Sequence, residues 1–160
     1  MKYFLFSLLL VLPLLAHPHF FINSSINLKS NVIHHTWIFD RLNSRLLIFE
    51  FDKNKNNIFE DKEQKAFLEA HFFSLKASNY NIFIQNDDKE IEINPQAIHV
   101  KIKNKKVVLE FITSISLKEN SVLCTIDATL YSAYNLTNIQ SVFKTDIQKS
   151  KYDFCIGVTQ

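Results

Sequence analysis

The chain has 160 residues, 47% hydrophobic and 21% charged, with a formal net charge of +2 when its six histidines are neutral. That length supports one domain with a real core. The basic residues are lysines with only Arg41 and Arg45 as exceptions, which argues against a nucleic-acid surface built on arginine forks and predicts no nucleic-acid partner.

Met1-Lys2 precedes an apolar run from Tyr3 to Leu15, and a small residue, Ala16, ends it. A short basic start, an apolar stretch and a small residue describe a secretory signal peptide. The run is shorter than the roughly 20 apolar residues that span a bilayer. The pattern predicts a cleaved signal at residues 1–16 and a single exported α+β domain at 17–160, which begins with His17-Pro18-His19. An uncleaved anchor is the alternative.

From Phe20 the pattern alternates through Leu28, breaks at Ser30-Asn31, and alternates again from Ile33 to Phe39. Period two, a polar break and period two again predict a β-hairpin. Residues 42–51 switch to helical spacing, with Leu42, Leu46 and Phe49 on one side. Residues 61–76 do the same through Ala66, Phe67, Ala70, Phe73 and Leu75. Alternation returns at 80–85, 90–93, 97–103 and 106–113, with a further strand at 121–130 and a less regular tail. Lys101-Ile102-Lys103-Asn104-Lys105-Lys106 reads as a solvated hairpin tip. The expected fold is α+β: a hairpin, an EF-hand-like helix–loop–helix at about 41–76, then an antiparallel meander in one β-rich domain. With one glycine and an abundance of Asn and Lys, the composition is biased, so individual Asn and Lys residues carry little weight.

Between the two helices lies DKNKNNIFEDKE, Asp52 to Glu63. A twelve-residue EF-hand loop delivers calcium ligands from positions 1, 3, 5, 7, 9 and 12. Those positions are Asp52, Asn54, Asn56, the Ile58 carbonyl, Glu60 and Glu63. Position 6 is normally Gly because the backbone turns left-handed there. Asn57 takes its place, and Asn is the next most tolerant residue. Two neutral Asn ligands and the charges of Lys53 and Lys55 predict weak binding. The alternative is an Asn-rich turn that caps itself without metal.

Two cysteines, Cys124 and Cys155, allow one intramolecular pairing, which an oxidising compartment favours. Two buried free thiols are the alternative.

The histidines carry the sharpest signal. A terminal site that wraps Cu(II) or Ni(II) through deprotonated amides needs an N–H at the second residue, and Pro18 has none. What remains is the terminal amine, the His17 imidazole and the His19 imidazole, nitrogen donors that suit zinc, nickel or copper without choosing among them. If the hairpin folds about Ser30-Asn31, residues whose numbers sum to about 61 face each other. Asp40 then lies opposite Phe21, on the face of His19, as the better third ligand or as the N-cap of the following helix. His34 and His35 fall on the order of 25 Å along the strand from His19, which makes His34 a polar-face residue, with a weak further metal contact as the alternative, and His35 a core histidine. His71 and His99 have no partner visible in the sequence.

The blocks AHPHFFINSSINL, HTWIFD, FDKNKNNIFEDKE and DATLYSAY, in this order, resemble the bacterial periplasmic family catalogued as domain of unknown function 1007. The resemblance covers the mature chain and implies a periplasmic component of a metal-uptake system. Its implied partner is a membrane permease of the nickel/cobalt transporter type. It maps His17 and His19 onto the family's mature histidine pair, Asp40 onto the aspartate after its TW-F strand, and residues 52–63 onto its calcium-like loop. Asp127, Thr129 and Tyr131 match its D-P-T-Y block and Cys155 its late cysteine. Ala128 stands where that block has Pro, which implies a looser turn, and Asn57 stands for Gly.

Three functions are compatible with these features. The first is a non-enzymatic, metal-binding accessory protein that presents zinc, or nickel or copper, to a transporter. The second is a calcium-stabilised adaptor with incidental histidines. The third is a copper-dependent oxidative enzyme, which needs another histidine close to His17. The hairpin register denies it one, and no Ser/His/Asp or Cys/His constellation is present. No polymer substrate is expected.

Overall fold

The computed structural model describes residues 18–87 and 89–159. The first strand, β1 (Phe20–Leu28), pairs antiparallel with β2 (Val32–Phe39). The register is the expected one, with Asn27 opposite His34 and Ile22 opposite Phe39. Alternation decides it: Ile22, Ser24, Ile26 and Leu28 are buried on one face of β1, and Ile33, His35, Trp37 and Phe39 on the same face of β2. A slip of one residue would turn every one of them outward.

Helix α1 (Arg41–Phe51) follows at once, then α2 (Asp61–His71) and an irregular helical segment, Phe73–Asn81. Asp40 caps α1, its Oδ1 accepting from the Asn43 N–H at 2.7 Å. Glu60 and Glu63 form a reciprocal capping box at the start of α2. The second helical stretch is therefore two elements, broken at Phe72. Of its expected apolar residues only Phe67 is fully buried, while Ala66, Ala70 and Phe73 are exposed and Phe72 takes the core position.

The remainder is not a simple meander. After β3 (Ile82–Asn86), β4 (Lys89–Glu90), β5 (Gln96–Lys103), β6 (Lys106–Ser114) and β7 (Val122–Thr125), the tail gives three further strands: β8 (Ser132–Ser141), β9 (Lys144–Lys149) and β10 (Phe154–Thr159). The described strands form two five-stranded sheets, ordered β5-β6-β2-β1-β8 and β4-β3-β7-β10-β9. β8 runs parallel to β1 with a bulge at Ser24/Ser25. The expected strand at 121–130 ends at Thr125, where Asp127 organises a turn instead. The tail looks irregular because β8 and β9 are largely exposed and polar (NLTNIQS, KTDIQK), so alternation has little contrast there.

Both sheets and both helices feed one hydrophobic core, with Trp37, Phe67, Phe72, Phe111, Tyr134 and Phe154 among its largest buried side chains. Cys124 and Cys155 face each other across β7 and β10 and are joined in a disulfide. No described helix is long and apolar enough to cross a membrane. Among the described residues eleven non-glycine positions adopt left-handed backbone, five of them Asn (Asn57, Asn79, Asn81, Asn104, Asn120). In a chain with one glycine, Asn is the side chain that takes such positions at least cost.

Candidate functional site

The start of the described chain is held from two sides. On one side, the His19 and Phe20 N–H groups both donate to the Tyr131 carbonyl, at 2.7 and 3.1 Å. On the other, buried Asn43, in the first turn of α1, accepts from the Phe21 N–H through Oδ1 at 3.1 Å. Its Nδ2 donates to the His19 carbonyl at 2.8 Å. One amide side chain thus imitates the edge of a strand, and the helix cap at Asp40 fixes where that amide sits.

Tyr131 is positioned in turn by Asp127. The buried Asp127 carboxylate accepts from the Thr129 N–H and hydroxyl, at 2.9 and 2.6 Å, and from the Ser132 N–H at 2.9 Å. Three hydrogen bonds to one carboxylate hold this turn without help from position 128, where Ala128 is exposed. The block Asp127, Thr129, Tyr131 is therefore a brace whose product is a carbonyl aimed at His19.

The His19 side chain is exposed and its ring lies 4.8 Å from that of Tyr131. Phe20 continues the aromatic rim, with centroids 5.6 Å from Tyr131 and 5.5 Å from His71. Beneath the rim is a cleft of about 190 Å³ lined by Phe20, Trp37, Phe39, His71 and Tyr134 among others. Burial holds the His71 imidazole below its ordinary pKa, opposed in part by Glu50.

His17 lies outside the described residues. Asp40 does lie opposite Phe21, its N–H donating to the Phe21 carbonyl at 2.9 Å. Its Oδ1 is engaged as the helix cap, and it shares a shallow cleft with Lys151. His34 sits opposite Asn27, at the far end of the hairpin, so the fold does not bring it to His19. His35 is a core histidine: it stacks on Phe111 at 4.6 Å, its Nε2 meets the Thr113 hydroxyl at 3.1 Å, and burial pulls its pKa down to about 3. His99 is exposed on β5. Among the described residues no three His, Cys, Asp or Glu side chains converge.

The loop from Asp52 to Glu63 turns on its own side chains. Asp52 accepts from the Asn56 and Asn57 N–H groups, Asn54 Oδ1 from Asn56, and Asn56 Oδ1 from Ile58, all between 2.8 and 3.1 Å. Lys55 and Asn57 are both left-handed (φ 59° and 62°). Glu60 Oε1 accepts from both the Asn54 and Asn56 amides, and the Glu63 carboxylate from the Lys53 and Glu60 N–H groups.

Sequence reasoning missed Asn43. Its only local mark is its place three residues after the capping Asp40, and its partners, His19 and Phe21, are more than twenty residues away.

The fold and this site define a two-sheet α+β protein with a clamped N-terminal histidine segment. Residues 3–155 match the family described as Protein of unknown function (DUF1007), and the chain belongs to that family. No curated protein and no solved structure matches it.

Proposed function

We propose that this protein is an exported, periplasmic accessory component of a transition-metal uptake system. Its mature N-terminus, His17-Pro18-His19, holds the metal as cargo, with zinc first and nickel or copper as alternatives, for a membrane permease of the nickel/cobalt type. The observation that carries this reading is the double clamp on His19. A flexible terminus would lose ordering entropy on binding, whereas here the backbone is fixed by Tyr131 and Asn43 up to His19, whose imidazole stays accessible. The terminal amine and two imidazoles would then be nitrogen donors at one end of a rigid strand. Asp40 is available through Oδ2 only.

The test is a zinc titration against a competing chelator, using exported protein whose first residue is His17. Alanine placed ahead of His17, or His19→Ala, is expected to weaken binding by about tenfold or more, roughly 1.4 kcal/mol per tenfold. Binding should also weaken on acidification, because protons compete with the metal for nitrogen donors. Unchanged affinity in the extended protein would remove the terminal amine from the site.

The second reading, a calcium-stabilised adaptor, is favoured by the loop. Asn57 adopts the left-handed turn of position 6, and the side-chain oxygens of Asp52, Asn54 and Asn56 accept from successive loop N–H groups. Against it, Glu60 and Glu63 already serve as acceptors within the loop. A thermal melt in calcium, zinc or chelator separates the two readings, since stabilisation by calcium alone supports the adaptor.

A further inference from the structure

Helix α1 is inside out relative to its sequence pattern. Its buried residues are Asn43, Ser44, Leu47 and Phe51, while Leu42, Leu46 and Phe49 are 67%, 58% and 81% exposed. At about 100° per residue these three fall within an arc of roughly 60° on the outer face. Arg45 and Arg41, both exposed and the only two arginines of the chain, continue that face on one side.

The inversion has a structural cause. Asn43 must face inward to hold β1, and the Ser44 hydroxyl bridges the Phe39 carbonyl and the Val107 N–H at 3.0 Å each. Ser44 therefore binds α1 to β6, and the β5–β6 turn at Asn104-Lys105 comes alongside. Arg41, Arg45 and Lys105, with Ile48 and Asn57, line a groove of about 330 Å³. None of the three cations makes an ion pair among the described residues, and Lys103 at the same turn is also exposed and unpaired. The acids nearest in sequence are Asp40, engaged as a cap, and Glu50, at the opposite edge of the helix face.

We propose that α1 and the β5–β6 turn form a seat for an anionic phospholipid bilayer. Lipid phosphates sit at Arg41, Arg45 and Lys105, while Leu42, Leu46 and Phe49 enter the interfacial layer. An amphipathic helix with an apolar face and adjoining cations binds in this way through apolar burial plus charge attraction. Guanidinium forks match phosphate oxygens. The charge complementarity selects this occupant: cations with no ion-pair partner among the described residues border the apolar stripe, and an anionic lipid surface supplies both the phosphates and the apolar layer that they match. None of these residues belongs to the histidine segment, so the inference stands apart from the metal reading.

Vesicle flotation tests it, using exported protein with residues 1–16 removed so that the apolar leader contributes nothing. Binding to vesicles of phosphatidylglycerol with phosphatidylethanolamine, weakened by salt and absent on phosphatidylcholine alone, is the expected result. Arg41→Glu with Arg45→Glu, and separately Leu42→Ser with Phe49→Ser, should each lower partitioning by about tenfold or more. Melting temperatures should hold, since all four side chains are exposed. A Phe49→Trp protein should show a blue-shifted emission on the anionic vesicles. Failure of the parent protein to bind anionic vesicles overturns the proposal, as does binding that survives both double substitutions. A dimer in sedimentation that Phe49→Ser dissolves would assign the face to a second copy instead. Competition by inorganic phosphate with no vesicle binding would reduce the groove to a simple anion site.

Discussion

His35 shows how a single buried group ties stability to pH. Its imidazole is neutral in the fold, with a pKa of about 3, whereas in the unfolded chain it titrates near 6.5. Between those values the unfolded state carries a proton that the folded state lacks, so stability rises with pH across that window and falls on acidification. The slope is about 1.4 kcal/mol per pH unit for this one group. His71, also lowered by burial, adds in the same direction. His35→Gln, which removes the titration while keeping a polar group facing Thr113, should flatten the stability profile below pH 6.5 by about one proton. Urea melts at several pH values would show it, and an unchanged slope would contradict the burial of a neutral imidazole. The pairing of His35 with a core face was legible from period-two alternation through Trp37. Its hydroxyl partner was not, because Thr113 lies 78 residues away in another strand.

At the scale of elements, the hairpin, its register and both helix starts were legible, since each is written in local pattern: alternation, a polar break, and Asp or Glu ahead of a helical run. The outward face of α1 was not. Leu42, Leu46 and Phe49 form the apolar stripe, yet the helix turns its polar residues inward, because Asn43 and Ser44 satisfy backbone groups of β1, β2 and β6. Long-range backbone need outranked amphipathicity, and no window within one helix reports that. The bias of the composition hid it further, for Asn43, Asn79 and Asn81 all brace the fold in a chain where Asn is too common to notice. Asn79, for instance, donates to the Ile82 and Ile91 carbonyls and accepts from the Ile93 N–H. Asn43→Ala should cost about 1–3 kcal/mol, the range for leaving buried polar groups without partners. It should also speed hydrogen exchange at the Phe21 amide well beyond the global loss of stability. A change confined to global stability would mean that Asn43 does not clamp the strand.

For the molecule as a whole, the disulfide closes a stretch of chain between β7 and β10 with a sequence separation of 31. In the chain-entropy account such a link contributes about 3–4 kcal/mol. Reduction, or Cys124→Ala with Cys155→Ala, should therefore lower the denaturation midpoint by a corresponding amount without changing far-ultraviolet dichroism, and a midpoint that does not move would count against the pairing. The two-sheet arrangement was the least legible feature, since β1 beside β8 joins residues more than a hundred positions apart and β8 itself carries little apolar contrast.

That last pairing has a consequence for how the protein comes into being. Among the described elements the β1–β2 hairpin is the first to be synthesised, yet one edge of β1 has no neighbour until β8 arrives. An open strand edge is a template for the wrong partner, and a contact so distant in sequence closes slowly. The interval between the appearance of Leu28 and that of Ser141 is thus the protein's most vulnerable period. A chain ended before β8 would be expected to form insoluble deposits rather than a smaller folded unit.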